Sequence, residues 1–387
     1  MMEAGSRPLT FAPRRSLLTR LGLSELDGVM LAAAGGLVAF GVFALATVGR
    51  HELPDQPLYF SARQGLYGAA GIAAMLLLAR FDYTRLRDVR VMVYAAMIAA
   101  IALVLVGGAA VRGSQRWIEL PLFRLQPSEF AKLLLVVSLG ALAFERVRRP
   151  HGLRQTLVLL AVGLAPAALV LLQPDLGTAV VLAVVAVTVL YVAGIPWRHF
   201  AAIGLAGLAL TGGSLALGSA VGLDPLRGYQ EDRLTAFLHP SDDPADASYQ
   251  VNQALIAAGS GEVTGRGGAA TQSELLFLPE RHTDFAFAAI GERFGFLGAG
   301  FVVFLYAVLF WRAVRVMRSA RSHFGTIVAG GILAMLGFQA IVNMGMNLGL
   351  MPVTGIPLPL VSYGGSSVLA TLLALGVLQS IHTHSRT

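Results

Sequence analysis

Apolar runs of about twenty residues recur along the whole chain, and a helix of that length crosses a hydrocarbon core roughly 30 Å thick. Lipid offers no hydrogen-bond partner to backbone amides, so every run that enters it must be helical. Ten runs are readable, at residues 27–49, 60–79, 91–111, 128–145, 157–173, 175–194, 199–219, 284–311, 325–349 and 364–381. The predicted fold class is an all-α integral membrane protein of about ten transmembrane helices with one large extracytoplasmic loop. Charged residues make up only 13% of the chain, about half the share of a soluble domain, which excludes a soluble fold. The first run follows Arg7, Arg14, Arg15 and Arg20. It is too long for a signal-peptide core and lacks a small-residue cleavage site, so it reads as a retained span. The expected organisation is a segment 1–26, one membrane domain 27–381 with its large outer loop at 220–283, and a tail 382–387.

The loops alternate in charge. One side carries the N-terminal arginines, then Arg80, Arg85, Arg87 and Arg90, then Arg146, Arg148, Arg149 and Arg154, then Arg198, and last Arg312, Arg315, Arg318 and Arg321. The positive-inside rule makes that side cytoplasmic, with both termini inside. Topology thereby accounts for the net charge of +7, and no nucleic-acid partner is called for. Cysteine is absent, which excludes disulfides and cysteine-ligated metal. The outer loop is acidic, with Asp224, Glu231, Asp232, Asp242, Asp243 and Asp246, and holds a short amphipathic helix at Tyr249–Ala258. A second outer stretch, 351–367, is too rich in proline and glycine to be helical throughout. At membrane depth it has to line a cavity or be buried in protein.

Ionisable groups near spans are costly and mark candidate sites. Lys132 is the only lysine among 29 basic residues, and it falls within the fourth span. Glu129, three residues earlier, shares its helix face. The bland alternative is a first-turn glutamate on the helix dipole with a lysine snorkelling outward. Asp284, at the mouth of the eighth span, is either a helix cap or a catalytic carboxylate; both readings stay open. Glu292 and Arg293 lie about 12 Å deeper and read as interhelical packing rather than chemistry. Asp175 reads as a cap, Trp117 beside Arg116 as an interfacial aromatic, and Arg63 as an anchor or a site for an anionic head group. His282 has no partner at metal-ligand spacing, and the Gly-Gly within 362–367 lacks the Gly-Lys-Ser/Thr of a phosphate-binding P-loop. Residue chemistry alone thus gives an outward-facing vestibule in which Arg63 and Lys132 hold an anionic lipid head group and Asp284 serves as base.

Six motifs in order resemble one family. They are Arg116-Trp117-Ile118, the run Gln126-Pro127-Ser128-Glu129-Phe130-Ala131-Lys132, and Gln173-Pro174-Asp175-Leu176-Gly177-Thr178. Tyr249-Gln250 through Gly259-Ser260-Gly261, Leu278-Pro279-Glu280-Arg281-His282-Thr283-Asp284-Phe285 and 357–367 complete the set. The chain resembles the SEDS proteins (shape, elongation, division and sporulation; the FtsW/RodA/SpoVE group) from about residue 27 to 381. The run Gly355-Ile356-Pro357-Leu358-Pro359 looks more like the RodA branch than the FtsW branch. Residues 260–267 depart locally from the Gly-Gly usual in relatives.

The resemblance implies a peptidoglycan glycosyltransferase of the bacterial cytoplasmic (inner) membrane. It would polymerise lipid II into β-1,4 glycan strands on the outer face during elongation and rod-shape maintenance. The family's essential acidic residue falls on Asp284, its functional Glu and Lys on Glu129 and Lys132, its second-span arginine on Arg63 and its tryptophan on Trp117. The motifs place Arg116, Asp175, His282, Ser362, Tyr363 and Ser366 with the substrate-binding residues. Implied partners are lipid II and undecaprenyl-linked glycan, membrane lipid, a class B penicillin-binding protein transpeptidase and other elongation-complex proteins. No cofactor is assigned, and a divalent cation, magnesium or manganese, is left open. A lipid II flippase, a non-enzymatic scaffold and an FtsW-type division polymerase are the alternatives.

Overall fold

The computed structural model describes residues 25–48, 55–111, 114–119, 124–146, 152–207, 247–274, 277–278 and 280–386. The acidic residues from Asp224 to Asp246, Pro279, most of the predicted seventh span and the arginines Arg7, Arg14, Arg15, Arg20, Arg148 and Arg149 lie outside the described residues.

The helices, in chain order, are α1 (Gly28–Val48), α2 (Tyr59–Arg80), α3 (Arg90–Gly107), α4 (Pro127–Arg146), α5 (Leu153–Leu171), α6 (Leu176–Val192), α7 (Ala247–Ser260), α8 (Ala286–Ser319), α9 (His323–Asn347) and α10 (Gly365–Arg386). Among the described residues, eight are long and apolar enough to cross a membrane: α1 to α5 and α8 to α10. α6 is a shorter apolar helix of 17 residues, and the chain is helical again at 197–207, where the seventh predicted span begins. α4, α9 and α10 form the buried centre, whereas α2 and α3 turn most of their surface outward. α10 lies along α2, α6 packs on α5, α9 and α4, and α8 packs on α1 and α9.

Three stretches differ from expectation. The third span ends at Gly107, because Gly108 turns extended and the chain enters a small antiparallel sheet. Its strands are β1 (Ala109–Val111), β2 (Ser114–Glu119) and β3 (Arg124–Leu125), so Arg116 and Trp117 sit on a strand rather than in an open loop. The eighth span runs to Ser319, so Arg312, Arg315 and Arg318 occupy its last turns rather than a loop. α10 likewise continues through the expected tail.

α8 is broken at Gly295, whose φ of 66° is open to glycine but strained for other residues. The break exposes amides that segment 261–266 fills: Phe296 N–H donates to the Glu262 carbonyl and Leu297 N–H to that of Val263, at 2.8 and 3.1 Å. The stretch 261–266 is therefore packed against a membrane helix.

At the arginine-rich end of the bundle, Asp27 accepts from Arg312 at 2.6 and 2.7 Å, while Gln379 bonds the Asp27 main chain on both sides. This joins the starts and ends of α1, α8 and α10 through a buried ion pair whose lone pairs are satisfied, the condition under which such a pair is tolerated.

Candidate active site

At the opposite end, residues 351–364 run between α9 and α10 without regular structure. A buried non-helical segment needs a partner for each polar backbone group, and neighbouring elements supply them. Asn343 of α9 donates to the Ile356 carbonyl at 2.8 Å, the Tyr306 hydroxyl of α8 donates to the Pro359 carbonyl, and Gln64 of α2 donates to the Ser362 carbonyl at 2.9 Å. Close approach does the rest: a Cβ at Gly41 would stand 2.9 Å from the Val361 main chain. From Ile356 to Ser362 the segment is mostly buried in protein, one of the two placements its composition allows, while Gly355 is exposed.

This segment grips the turn that carries Asp284. Ser362, fully enclosed, donates its hydroxyl to the Thr283 carbonyl and accepts from Leu358 N–H. Tyr363 N–H donates to the His282 carbonyl at 2.8 Å. From behind, Asn343 and Asn347 both donate to the Asp284 carbonyl, at 2.9 and 3.0 Å. The Asp284 side chain is half-buried and faces Gly355, where a Cβ would lie 3.6 Å from Oδ2. The capping position of α8 is Phe285. Asn347 Oδ1 takes the Ala288 N–H at 2.8 Å, the amide that a capping side chain ordinarily satisfies.

Next to it, Arg63 lies over the Tyr59 ring at 4.6 Å and hydrogen-bonds the Tyr363 side chain. Phe60 packs on His282 at 4.6 Å and edge-on to Tyr363 at 5.0 Å. Burial raises the Tyr363 phenol above its ordinary range, against the pull of the Arg63 guanidinium. A cation and the rings of Tyr59, Phe60, Tyr363 and His282 therefore form one cluster, two residues along the chain from Asp284.

Glu129 and Lys132 lie inside the bundle, 4% and 3% exposed, so the lysine does not snorkel. Lys132 Nζ donates to Glu129 Oε1 at 2.8 Å and to Gln339 Oε1 of α9 at 2.6 Å. A chain rich in arginine uses lysine here because a compact ammonium, with rotatable donors, fits between two acceptors where a planar guanidinium would not.

Arg116 and Asp175 form a separate junction. Asp175 Oδ1 caps α6 through Thr178 N–H at 3.1 Å, and Oδ2 accepts from Gln126 at 3.3 Å. Arg116 donates to the Gln173 and Pro174 carbonyls, with its other nitrogen 3.9 Å from Asp175. Trp117 is half-buried on β2. Ser366 accepts from Gln126 N–H at 2.9 Å and donates to the Arg124 carbonyl, tying the sheet to α10. Glu292, fully buried, accepts from Gln272 N–H at 2.8 Å beside the break in α8. Among the described residues, no three carboxylate or imidazole groups come close enough to hold a metal ion.

The structure thus groups Asp284, His282, Ser362, Tyr363 and Arg63, and sets Glu129 and Lys132 behind them. Arg116, Asp175 and Ser366 serve the neighbouring scaffold. Gln64, Gln339, Asn343 and Asn347 escaped the sequence reading, although the last three recur every four residues in an otherwise apolar window. That spacing puts them on one helix face.

The profile of the FtsW/RodA/SpoVE family, described as cell cycle protein, matches residues 27–387. The chain is 39% identical over 280 residues to the peptidoglycan glycosyltransferase MrdB of Escherichia coli, covering 72% of this chain and 74% of that protein. Its fold superposes on a chain of a peptidoglycan synthase complex that coordinates polymerization and crosslinking, with a TM-score of 0.76 and 31% identity over 93% of this chain and 98% of that one. It also superposes on the rod shape determining protein RodA of Thermus thermophilus, with a TM-score of 0.67 and 29% identity over 94% of this chain and 98% of that one. The chain is therefore a multi-pass membrane protein of the FtsW/RodA/SpoVE family.

Proposed function

We propose that the protein is a peptidoglycan glycosyltransferase that polymerises lipid II, with Asp284 as general base. The observation that carries this is the grip on the Asp284 turn: two buried amides hold its carbonyl, and the 351–364 segment holds the residues before it. A carboxylate fixed through its main chain is held at one position for a substrate.

In the reaction, the 4-hydroxyl of an acceptor GlcNAc attacks C1 of the donor MurNAc. The bond from C1 to the pyrophosphate oxygen breaks, and undecaprenyl pyrophosphate leaves. An α donor giving a β-1,4 product requires inversion, hence in-line attack with the base on the acceptor side. Asp284 takes the hydroxyl proton, help that is worth about 10²–10⁴-fold. Arg63, half-buried in the cluster with Tyr363 and His282, stabilises the departing pyrophosphate. Lys132, enclosed with Glu129 and Gln339, acts from behind by keeping the buried field of the site fixed.

Orientation follows from the arginine-rich ends, which the positive-inside rule places in the cytoplasm; the site then faces outward with both termini inside. The partner is a class B penicillin-binding protein, in keeping with the synthase complex on which this fold superposes. The Gly355-to-Pro359 run supports use in elongation. Polymerisation of purified lipid II in detergent, with and without the transpeptidase, tests the reading. Long glycan strands are expected; none from folded, partner-bound protein would favour a flippase or scaffold.

A further inference from the structure

Gln339, Asn343 and Asn347 lie at four-residue intervals on one face of α9, and all three are buried. Buried amides inside a membrane helix carry a desolvation cost that leucine would avoid, so their hydrogen bonds show what they do. Gln339 turns its carbonyl oxygen to Lys132 at 2.6 Å and donates its nitrogen to the Met335 carbonyl of its own helix. Asn343 spends one donor on the Asp284 carbonyl and the other on that of Ile356, so one side chain joins both segments that shape the mouth. Asn347 donates to the Asp284 and Asn343 carbonyls and accepts from Ala288 N–H, fixing the first turn of α8 against α9.

We infer that these three side chains are positioning residues that set the Lys132 ammonium and the Asp284 carboxylate at a fixed separation along α9. The inference rests on the glycosyltransferase reading and adds residues to it. Four residues of helix rise about 6 Å, so the strip reaches from the buried ion pair to the turn bearing the base in one step and to the first turn of α8 in two. An amide suits the end at Lys132 because it accepts a hydrogen bond without adding a second negative charge beside Glu129. At Asn343 only a donor serves, since both of its targets are carbonyl oxygens, and Asn347 adds an acceptor for Ala288 N–H.

Two variants separate positioning from scaffolding. Gln339→Met keeps volume, leaves every bond to Asp284 in place and removes the acceptor from Lys132. Asn343→Leu keeps volume and removes both carbonyl contacts. Each is purified with the transpeptidase partner and assayed for kcat and KM on lipid II, alongside its thermal unfolding. Misplacement of a reacting group by about 1 Å costs roughly 10²-fold, so kcat falls by about that factor while KM stays within a few-fold. Gln339→His, whose neutral imidazole restores an uncharged acceptor to Lys132, recovers most of the kcat lost in Gln339→Met. If Asn343→Leu does not fold, the Gln339 pair decides alone. Full kcat in Gln339→Met with wild-type enzyme active overturns the strip and leaves the glycosyltransferase reading standing. A loss that follows the melting temperature and is not rescued by Gln339→His assigns Gln339 to scaffolding and overturns it too. Wild-type protein that makes no polymer removes both.

Discussion

Arg116 with Asp175, and Lys132 with Glu129, are both charge pairs at the start of a membrane helix. Their surroundings separate them. Arg116 is partly open and bonds two main-chain carbonyls, 3.9 Å from an aspartate already engaged in capping α6. Lys132 and Glu129 are enclosed at 2.8 Å, with an uncharged third partner. In the first pair charge holds a junction between sheet and helices. In the second it is kept out of water where a field is worth most. Similar charge pairs thus sit in different surroundings, and their partners tell them apart.

Changing one member of each pair gives the widest contrast. Lys132→Met strands Glu129 as a buried, uncompensated carboxylate, a loss of about 3–5 kcal/mol, and should abolish polymerisation. Adding Glu129→Gln should restore the melting temperature but not the activity. A double variant that regains activity would reduce this pair to scaffold as well. Arg63→Gln comes next: losing a charged hydrogen-bonding group at the mouth costs about 1.5–3 kcal/mol, read as a drop in kcat/KM for lipid II with unchanged stability. Asp175→Ala should cost about 1 kcal/mol through the lost cap, lowering the melting temperature while KM for lipid II holds. A raised KM at wild-type stability would return Asp175 to the substrate. Gly355→Ala, which adds one methyl, should cost roughly 1–2 kcal/mol for a side chain at φ 71°. Its Cβ would stand in ordinary contact with Asp284 Oδ2, 3.6 Å away, so kcat should fall no further than the loss of stability predicts.

The spans were legible because lipid forces apolar runs into helices, and the 351–364 segment because proline and glycine forbid one. Asp175 was legible as a cap from its place before Leu176. The break at Gly295 was not, since it depends on segment 261–266 arriving from elsewhere in the chain to satisfy Phe296 and Leu297. The sheet was hidden because Ala109 to Val111 continues an apolar run without a change in hydropathy. Gln339, Asn343 and Asn347 were hidden for a different reason. A search for charge passes over amides, and their meaning lies in partners on α4 and in the Asp284 turn.

The central claim is that the Asp284 carboxylate takes the acceptor proton. Single-turnover polymerisation by Asp284→Asn, at lipid II concentrations that saturate binding, tests it most directly. The main-chain contacts to Asn343 and Asn347 survive that change, so binding and folding should persist while strand formation falls by at least about 10². Strands of wild-type length at a wild-type rate from the variant would contradict the assignment.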